Sequence, residues 1–202
     1  MKTPVFKPQY FGTVDYYAAL ARAPKAVVDR GVRYDKRAKD VHRCEIVDTR
    51  RRMLLTVPLS KGAEHVSCWQ DMVVSAHDEW WQRHVTALES AYGRTPFFEF
   101  YIDRLLPFMG PEAVGRPIVD IDIELDAIVR RLLLIDTEVT YDASELGPGE
   151  ITDYRREPIP DAGIGPYWQV RAGKLGFEPG LSVLDLLFSL GPEAALLIRD
   201  KR

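Results

Sequence analysis

Apolar positions in the first thirty residues fall into three short groups. Val5 and Phe6 form a pair ahead of the breaker run Pro8-Gln9-Tyr10-Phe11-Gly12. Val14, Tyr17, Ala18 and Ala21 then recur at three and four residues, the spacing of one helical face. Thr13 is the expected N-cap, and the helix runs to about Arg22 before Pro24 stops it. Ala26-Val27-Val28 is a short apolar run bounded by charge. Strand, helix, strand is the opening of an α/β unit. Cys44–Val47 and Met53–Pro58 read as a hairpin about the polar turn Asp48-Thr49-Arg50-Arg51. Met72–Ser75 reads as a further short strand.

The middle of the chain is helical. From His77 to Tyr92, the positions Trp81, Val85, Leu88 and Tyr92 share one helical face, and Gly93 ends the segment. Thr95-Pro96 offers a cap and an N1 proline for a helix to about Met109. Residues 118–128, IVDIDIELDAI, alternate apolar and acidic residues, which locally spells strand. Over a longer window Ile118, Ile121, Leu125, Ile128, Leu132 and Ile135 keep a three-and-four rhythm across 18 residues. Strands seldom reach that length, so helix is predicted. Thr137–Tyr141 is then a strand, and the Gly-, Pro- and Asp-rich residues 144–166 a loop with little regular structure. Leu181–Leu190 is an apolar segment capped by Ser182 and stopped by Gly191. Ala194–Arg199 is a last short strand or turn of helix. The predicted fold class is α/β: a single domain over residues 1–202, with a small mixed sheet opened by a strand-helix-strand unit and a helical middle section.

Composition adds bounds. The 202 residues are 46% hydrophobic and 28% charged, which argues against a disordered, collagen-like or disulfide-stapled chain. The first twenty residues hold no apolar leader core, no run is long enough for a membrane span, and the only cysteines are Cys44 and Cys68. The expectation is a cytoplasmic chain with reduced thiols and no membrane span. A net charge of -3 does not suit a general nucleic-acid binder. That average hides a split. Residues 22–52 hold eleven Lys or Arg against five acids, a local +6, and residues 111–165 hold five against thirteen, a local -8. The arginine-rich stretch is either an anion site or a basic face that is solvated or paired internally.

Few motifs announce chemistry. His42-x-Cys44 and His65-x-x-Cys68 are close pairs, but zinc needs three or four ligands, so no metal is assigned. Cys44 beside His42 and Arg43 would be an activated thiol if the cations lie close, and a small core residue otherwise. No nucleophile elbow, Walker A loop or GxGxxG is present, and the residues identify no cofactor. Trp80 and His84 share a helix face at i and i+4, so Trp80 is a candidate pocket wall. In an open α/β sheet ligands gather at the carboxyl ends of strands. That rule selects Gln9, Tyr10, Asp29 and the loop around Tyr34 and Lys36, with Tyr16 adding a phenol nearby.

These residues resemble a known family in three blocks. Pro8-Gln9-Tyr10-Phe11, Tyr16, Asp29, Tyr34, Lys36 and Arg43 resemble its opening "QPxY(L/F)P...GY", acidic strand end and "QYxK...NR". Leu55-Thr56-Val57-Pro58 resembles its "LTVP". Trp81, His84, Ser90-Ala91-Tyr92, Pro96-Phe97-Phe98-Glu99, Tyr101 and Asp103 form the second block. Tyr167-x-Gln169-Val170, Phe177-x-Pro179, Leu181 to Phe188 and Gly191 form the third. The chain is similar to the WbqC-like family from about residue 4 to 199. It departs where Gly12 replaces the usual proline, Asp15 a glycine, His42 the asparagine of the "NR" pair, and Gly180 an asparagine.

The resemblance implies a transferase, for glycyl, acyl or sugar-precursor modification, in bacterial cell-surface polysaccharide (O-antigen) biosynthesis. Gln9, Tyr10, Tyr16, Tyr34, Lys36, Arg43 and Trp80 would then bind the substrate, an anionic small molecule such as a nucleotide-sugar or acyl donor. Asp29 or His84 would accept the proton. The alternative is a non-catalytic binding or assembly protein with an aromatic and basic surface. The oligomeric state is not legible.

Overall fold

A computed structural model describes residues 2–199. Strand β1 (Thr3–Phe6), helix α1 (Val14–Ala21) and strand β2 (Lys25–Val28) form the predicted opening unit. Thr13 caps α1, its Oγ1 accepting the Tyr16 N–H at 3.2 Å. The antiparallel hairpin of β3 (Arg43–Val47) and β4 (Arg52–Thr56) sets Cys44 opposite Leu55 and Glu45 opposite Leu54. A second antiparallel ladder joins β5 (Leu59–Lys61) to β6 (Met72–Val74). Helices α2 (Trp80–Tyr92), α3 (Phe98–Leu105) and α4 (Ile118–Leu132) make the middle section. Strands β7 (Glu138–Thr140) and β8 (Ile151–Asp153) return to the first sheet, in the order β7-β2-β1-β8 with every pair parallel. Helices α5 (Ala172–Leu175), α6 (Val183–Leu190) and α7 (Ala194–Arg199) follow. The fold is α/β, and its parallel and antiparallel pairings lie in separate sheets rather than within one.

Two apolar clusters make the core. One joins the hairpin to α2, α3 and the first half of α4, through Ile46, Leu88, Tyr92, Leu105 and Leu125. The other joins β1 and α1 to α7 and the end of α4, through Phe6, Leu20, Val129 and Ile198. Helix α6 feeds both, Leu184 and Phe188 into the first and Val183, Leu186 and Leu187 into the second. Its sequence, VLDLLFSL, is apolar on nearly every side, as a helix buried all round must be. Helix α4 ends in a Schellman turn: Ile135 N–H donates to the Arg130 carbonyl and Leu134 N–H to that of Arg131. The turn holds Leu134 at φ +53°, a conformation that suits glycine better. No helix among the described residues is long and apolar enough to cross a membrane.

The structure corrects several expectations. The loop at 144–166 contains β8, which pairs with β1 through Thr3 and Ile151. Its three residues are too few for an apolar alternation to show. Thr95 and Pro96 do not begin α3. The Thr95 hydroxyl donates to the Tyr92 carbonyl at 2.7 Å, closing α2, and α3 begins at Phe98. Regular helix in α2 starts at Trp80 rather than His77, because Asp78 and Glu79 are both left-handed, at φ +58° and +45°. The inward face of α2 is Trp80, His84, Leu88, Ala91 and Tyr92, while Trp81 and Val85 are only half-buried. The buried polar His84 turns the helix away from its purely apolar stripe. Ala194–Arg199 is helix.

Candidate functional site

The carboxyl ends of β2, β1 and β8 lie side by side. Asp29 follows β2, and its N–H donates to the Phe6 carbonyl of β1 at 2.8 Å. Its Oδ1 accepts the Gly31 N–H and its Oδ2 the Arg155 Nη1–H at 2.6 Å. Arg155 also forks onto Asp153 through two bonds of 2.8 Å, so one guanidinium spans the ends of β2 and β8. Those bonds to Asp153 and Asp29 raise the Arg155 pKa against the opposing effect of burial.

Beyond β1 the chain enters a cleft of about 230 Å³ lined by Gln9, Tyr10, Gly12, Lys39, Asp40, Arg43, Glu45, Leu54 and Ser182, among others. Its two acids are already paired, Asp40 with Lys7 and Glu45 with Arg52, each at 3.0 Å. Lys39 and Arg43 have no acidic partner among the described residues, and the buried Nε of Arg43 has no hydrogen-bond acceptor. Thr13 and Ser182, the N-caps of α1 and α6, bridge on the wall, so the positive ends of both helices border the cleft. Close packing needs the small Gly12, where a Cβ would stand 2.8 Å from Tyr16 Cδ1 and 3.0 Å from Gln9 Oε1. Of the other departures, Asp15 accepts the Ala162 N–H at 2.9 Å, and Gly180 takes φ +67°.

Tyr10 links this cleft to another. His84 is 3% exposed, with Nε2 3.2 Å from the Thr56 carbonyl and Nδ1 3.1 Å from the Tyr10 hydroxyl. Burial lowers its pKa to about 4, so the ring is neutral at pH 7. A carbonyl only accepts, so Nε2 carries the proton, and Nδ1 accepts from the Tyr10 O–H. Trp80 packs edge-on against His84 at 4.8 Å and donates Nε1–H to the Ser75 carbonyl. Both line a second cleft, about 350 Å³, between β4 and α2.

The structure thus brings Gln9, Tyr10 and Arg43 together, with His84 and Trp80 behind Tyr10. Asp29 stands apart at the sheet edge. Tyr16 is a core residue whose hydroxyl donates to Asp126 at 3.1 Å. Tyr34 packs edge-on to Trp69 at 4.8 Å, away from the cleft lining. Lys36 is exposed and outside that lining. Of the arginine triplet, Arg52 is structural, binding Glu45, Glu178 at 2.6 Å and the Pro179 carbonyl. Arg50 and Arg51 are exposed. Some basic residues pair with the acidic segment, as Arg30 does with Asp120 and Lys25 with Glu138. Burial pushes the Cys44 thiol up, opposite to what a thiolate nucleophile needs. Among the described residues no group of three or more His, Cys, Asp or Glu is placed to hold a metal ion.

Sequence reading missed four residues. Arg155 lay in the presumed loop. Asp185 of α6 is buried and accepts from Tyr92, Tyr167 and Gln169 at 3.1, 2.7 and 2.8 Å. These bonds gather residues of the second and third blocks. Asp122 and Asp126 sit on the buried face of α4, both carboxyls raised chiefly by burial. Asp126 accepts from Tyr16 and from Arg130 Nε at 2.7 Å, whereas neither oxygen of Asp122 has a partner among the described residues. Their signal was the i, i+4 ridge Ile118, Asp122, Asp126, Arg130 beside the apolar stripe.

The sequence model of the WbqC-like protein family matches residues 7–156. That span holds β2 to β8, the Gln9–Arg43 side of the cleft and the Asp29–Arg155 cluster; α6, the Ser182 wall of the cleft and the Tyr167–Gln169 segment lie outside it. No curated protein and no solved structure matches the chain. With three quarters of its length matched, from the breaker run after β1 to the residues closing the sheet at β8, the chain belongs to the WbqC-like protein family.

Proposed function

We propose that this chain is a cytoplasmic transferase of bacterial cell-surface polysaccharide (O-antigen) synthesis, acting as one domain. It holds the anionic part of an activated precursor, a nucleotide-sugar or acyl donor, in the Gln9–Arg43 cleft. The observation that carries this reading is the unbalanced positive charge there. Lys39 and Arg43 have no acidic partner among the described residues, and two helix N-termini face the same space. An Arg fork suits phosphate or carboxylate oxygens. Gln9 supplies an amide beside it. The neutral ring of His84 acts as a positioning group that aims the Tyr10 hydroxyl.

The test is a thermal-shift screen of nucleotides, nucleotide-sugars and acyl-CoA, followed by calorimetry with any hit. Binding stabilises the native state by mass action. Arg43→Ala is expected to weaken the hit's affinity at least roughly tenfold, a loss of about 1.4 kcal/mol, without lowering the melting temperature. Unchanged affinity would sink the proposal. The assembly-protein reading has its own support in the exposed Arg50 and Arg51, which have no acidic partner among the described residues, and in the apolar cleft against Trp80.

A further inference from the structure

We propose that the outer edge of β4 is a self-association surface, pairing antiparallel with the β4 of a second copy about Leu54. The hydrogen-bond phase of the hairpin exposes this edge. Asp48 N–H donates to the Arg51 carbonyl and Val57 N–H to that of His42. Antiparallel ladders alternate between bonded and non-bonded pairs. Ile46–Met53 and Cys44–Leu55 are therefore the bonded pairs between, and Arg52, Leu54 and Thr56 turn their backbone groups outward. The same phase turns the Glu45 carbonyl off the opposite edge, where it accepts the Ser182 N–H at 2.9 Å. That edge of β3 is thus covered. On β4 the Thr56 carbonyl meets His84, and the N–H and C=O of Leu54 have no partner among the described residues. Sheet edges are commonly guarded by lysine, proline or a bulge. This one carries Arg52, with its side chain already tied down, and a Leu54 that is 52% exposed.

The edge is complementary to itself. With a two-fold axis at Leu54, the two Leu54 residues exchange N–H···O=C bonds, and Arg52 of each copy stands opposite Thr56 of the other. About four backbone bonds form with groups that are free, the two Thr56 carbonyls staying with His84, and both exposed leucines are covered. The same register carries the Arg50–Arg51 turn of one copy to the Pro58 end of the other. Pro58 shares its cleft with Asp78, and Asp78 and Glu79 are exposed acids held out on a left-handed turn. Asp78 already pairs with Arg83 at 3.2 Å, so the acid that the Arg50–Arg51 turn meets at each end of the joint is the exposed Glu79, a complementarity that fixes register. Because Leu54 also lines the Gln9–Arg43 cleft, the second copy's strand becomes part of that cleft's wall.

Sedimentation velocity of the full chain, from micromolar to hundred-micromolar concentration, tests this. The expected result is a reversible rise from the 23.0 kDa chain toward twice that mass. Leu54→Glu sets two carboxylates face to face across the axis and is expected to hold the chain monomeric at an unchanged melting temperature. Arg50→Glu with Arg51→Glu is expected to weaken association roughly tenfold, and adding Glu79→Lys to restore it. Amide exchange at Leu54 should slow as concentration rises. Arg43→Ala leaves association intact, so failure of the ligand site and of this surface are told apart. A wild type that stays monomeric throughout, or a dimer indifferent to Leu54→Glu, overturns the proposal.

Discussion

Asp122→Asn probes the most costly polar group in the core. Asp122 has no exposed surface, and neither of its oxygens has a hydrogen-bond partner among the described residues. Burial first, then the nearby Asp40 and Asp126, push its pKa well up. Asparagine copies the shape of the protonated acid and cannot ionise, so the packing term is shared by the two proteins. A carboxyl whose folded pKa lies above its unfolded value, near 3.9, holds its proton more tightly in the native state. Its stabilising contribution is full below that value and drains away as the pH rises toward the folded pKa. The variant is therefore expected to gain on the wild type by about 1.4 kcal/mol for each pH unit across that window. For a chain of this size each kcal/mol moves the melting temperature by about 2–4 °C. Urea unfolding at pH 4, 5, 6 and 7, with melts in parallel, reads the gap directly. Contributions from titrating groups that do not interact with Asp122 cancel in the difference. A gap that nowhere widens as the pH rises above the unfolded value would refute the reasoning.

Three further outcomes follow from single contacts. Tyr10→Phe leaves Nδ1 of His84 buried without a donor, with an expected cost of about 1–3 kcal/mol by urea unfolding. His84 also sets an acid limit. Its folded pKa of about 4 lies below the unfolded value near 6.5, so its contribution is present above 6.5 and lost as the pH falls toward 4; His84→Gln should flatten that part of the stability curve. Asp185→Asn weakens the acceptor shared by Tyr92, Tyr167 and Gln169 and is expected to cost about 2–3 kcal/mol, with the 167–178 segment becoming sensitive to limited proteolysis. Leu134→Gly relieves a left-handed leucine that is 57% exposed and should stabilise by about 0.5–1 kcal/mol in the same urea assay.

The opening unit was legible because its signals are local. Thr13 caps a helix, Val5-Phe6 and Ala26–Val28 are apolar runs, and Ser182 and Gly191 frame α6 by the same logic. The α4 helix was legible against its own alternation because Ile118 to Ile135 outlasts any strand. Strand β8 was not, since Ile151–Asp153 has no pattern of its own and is specified by β1 opposite it. Gln9, Tyr10 and Arg43 emerged from the strand-end rule and the resemblance together. Tyr16 and Tyr34 were misplaced in the reading for one reason: a phenol near a strand end reads the same whether it faces a ligand or the core. Asp122 and Asp126 were hidden because acids in an alternating run look solvated. Only the three-dimensional packing of α4 shows that the run's second and fourth acids point inward.

The strand order also dictates when the protein can fold. The inner strands β1 and β2 lie within the first 28 residues, but their outer neighbours arrive only at Glu138–Thr140 and Ile151–Asp153. Each outer pairing closes a loop of more than a hundred residues. Sheets built from such distant segments form slowly. During synthesis the apolar β1–β2 pair emerges early and must wait, with both edges bare, for most of the chain to follow. Any truncation before Asp153 leaves that pair permanently open, and the expected product is aggregate rather than a smaller native protein.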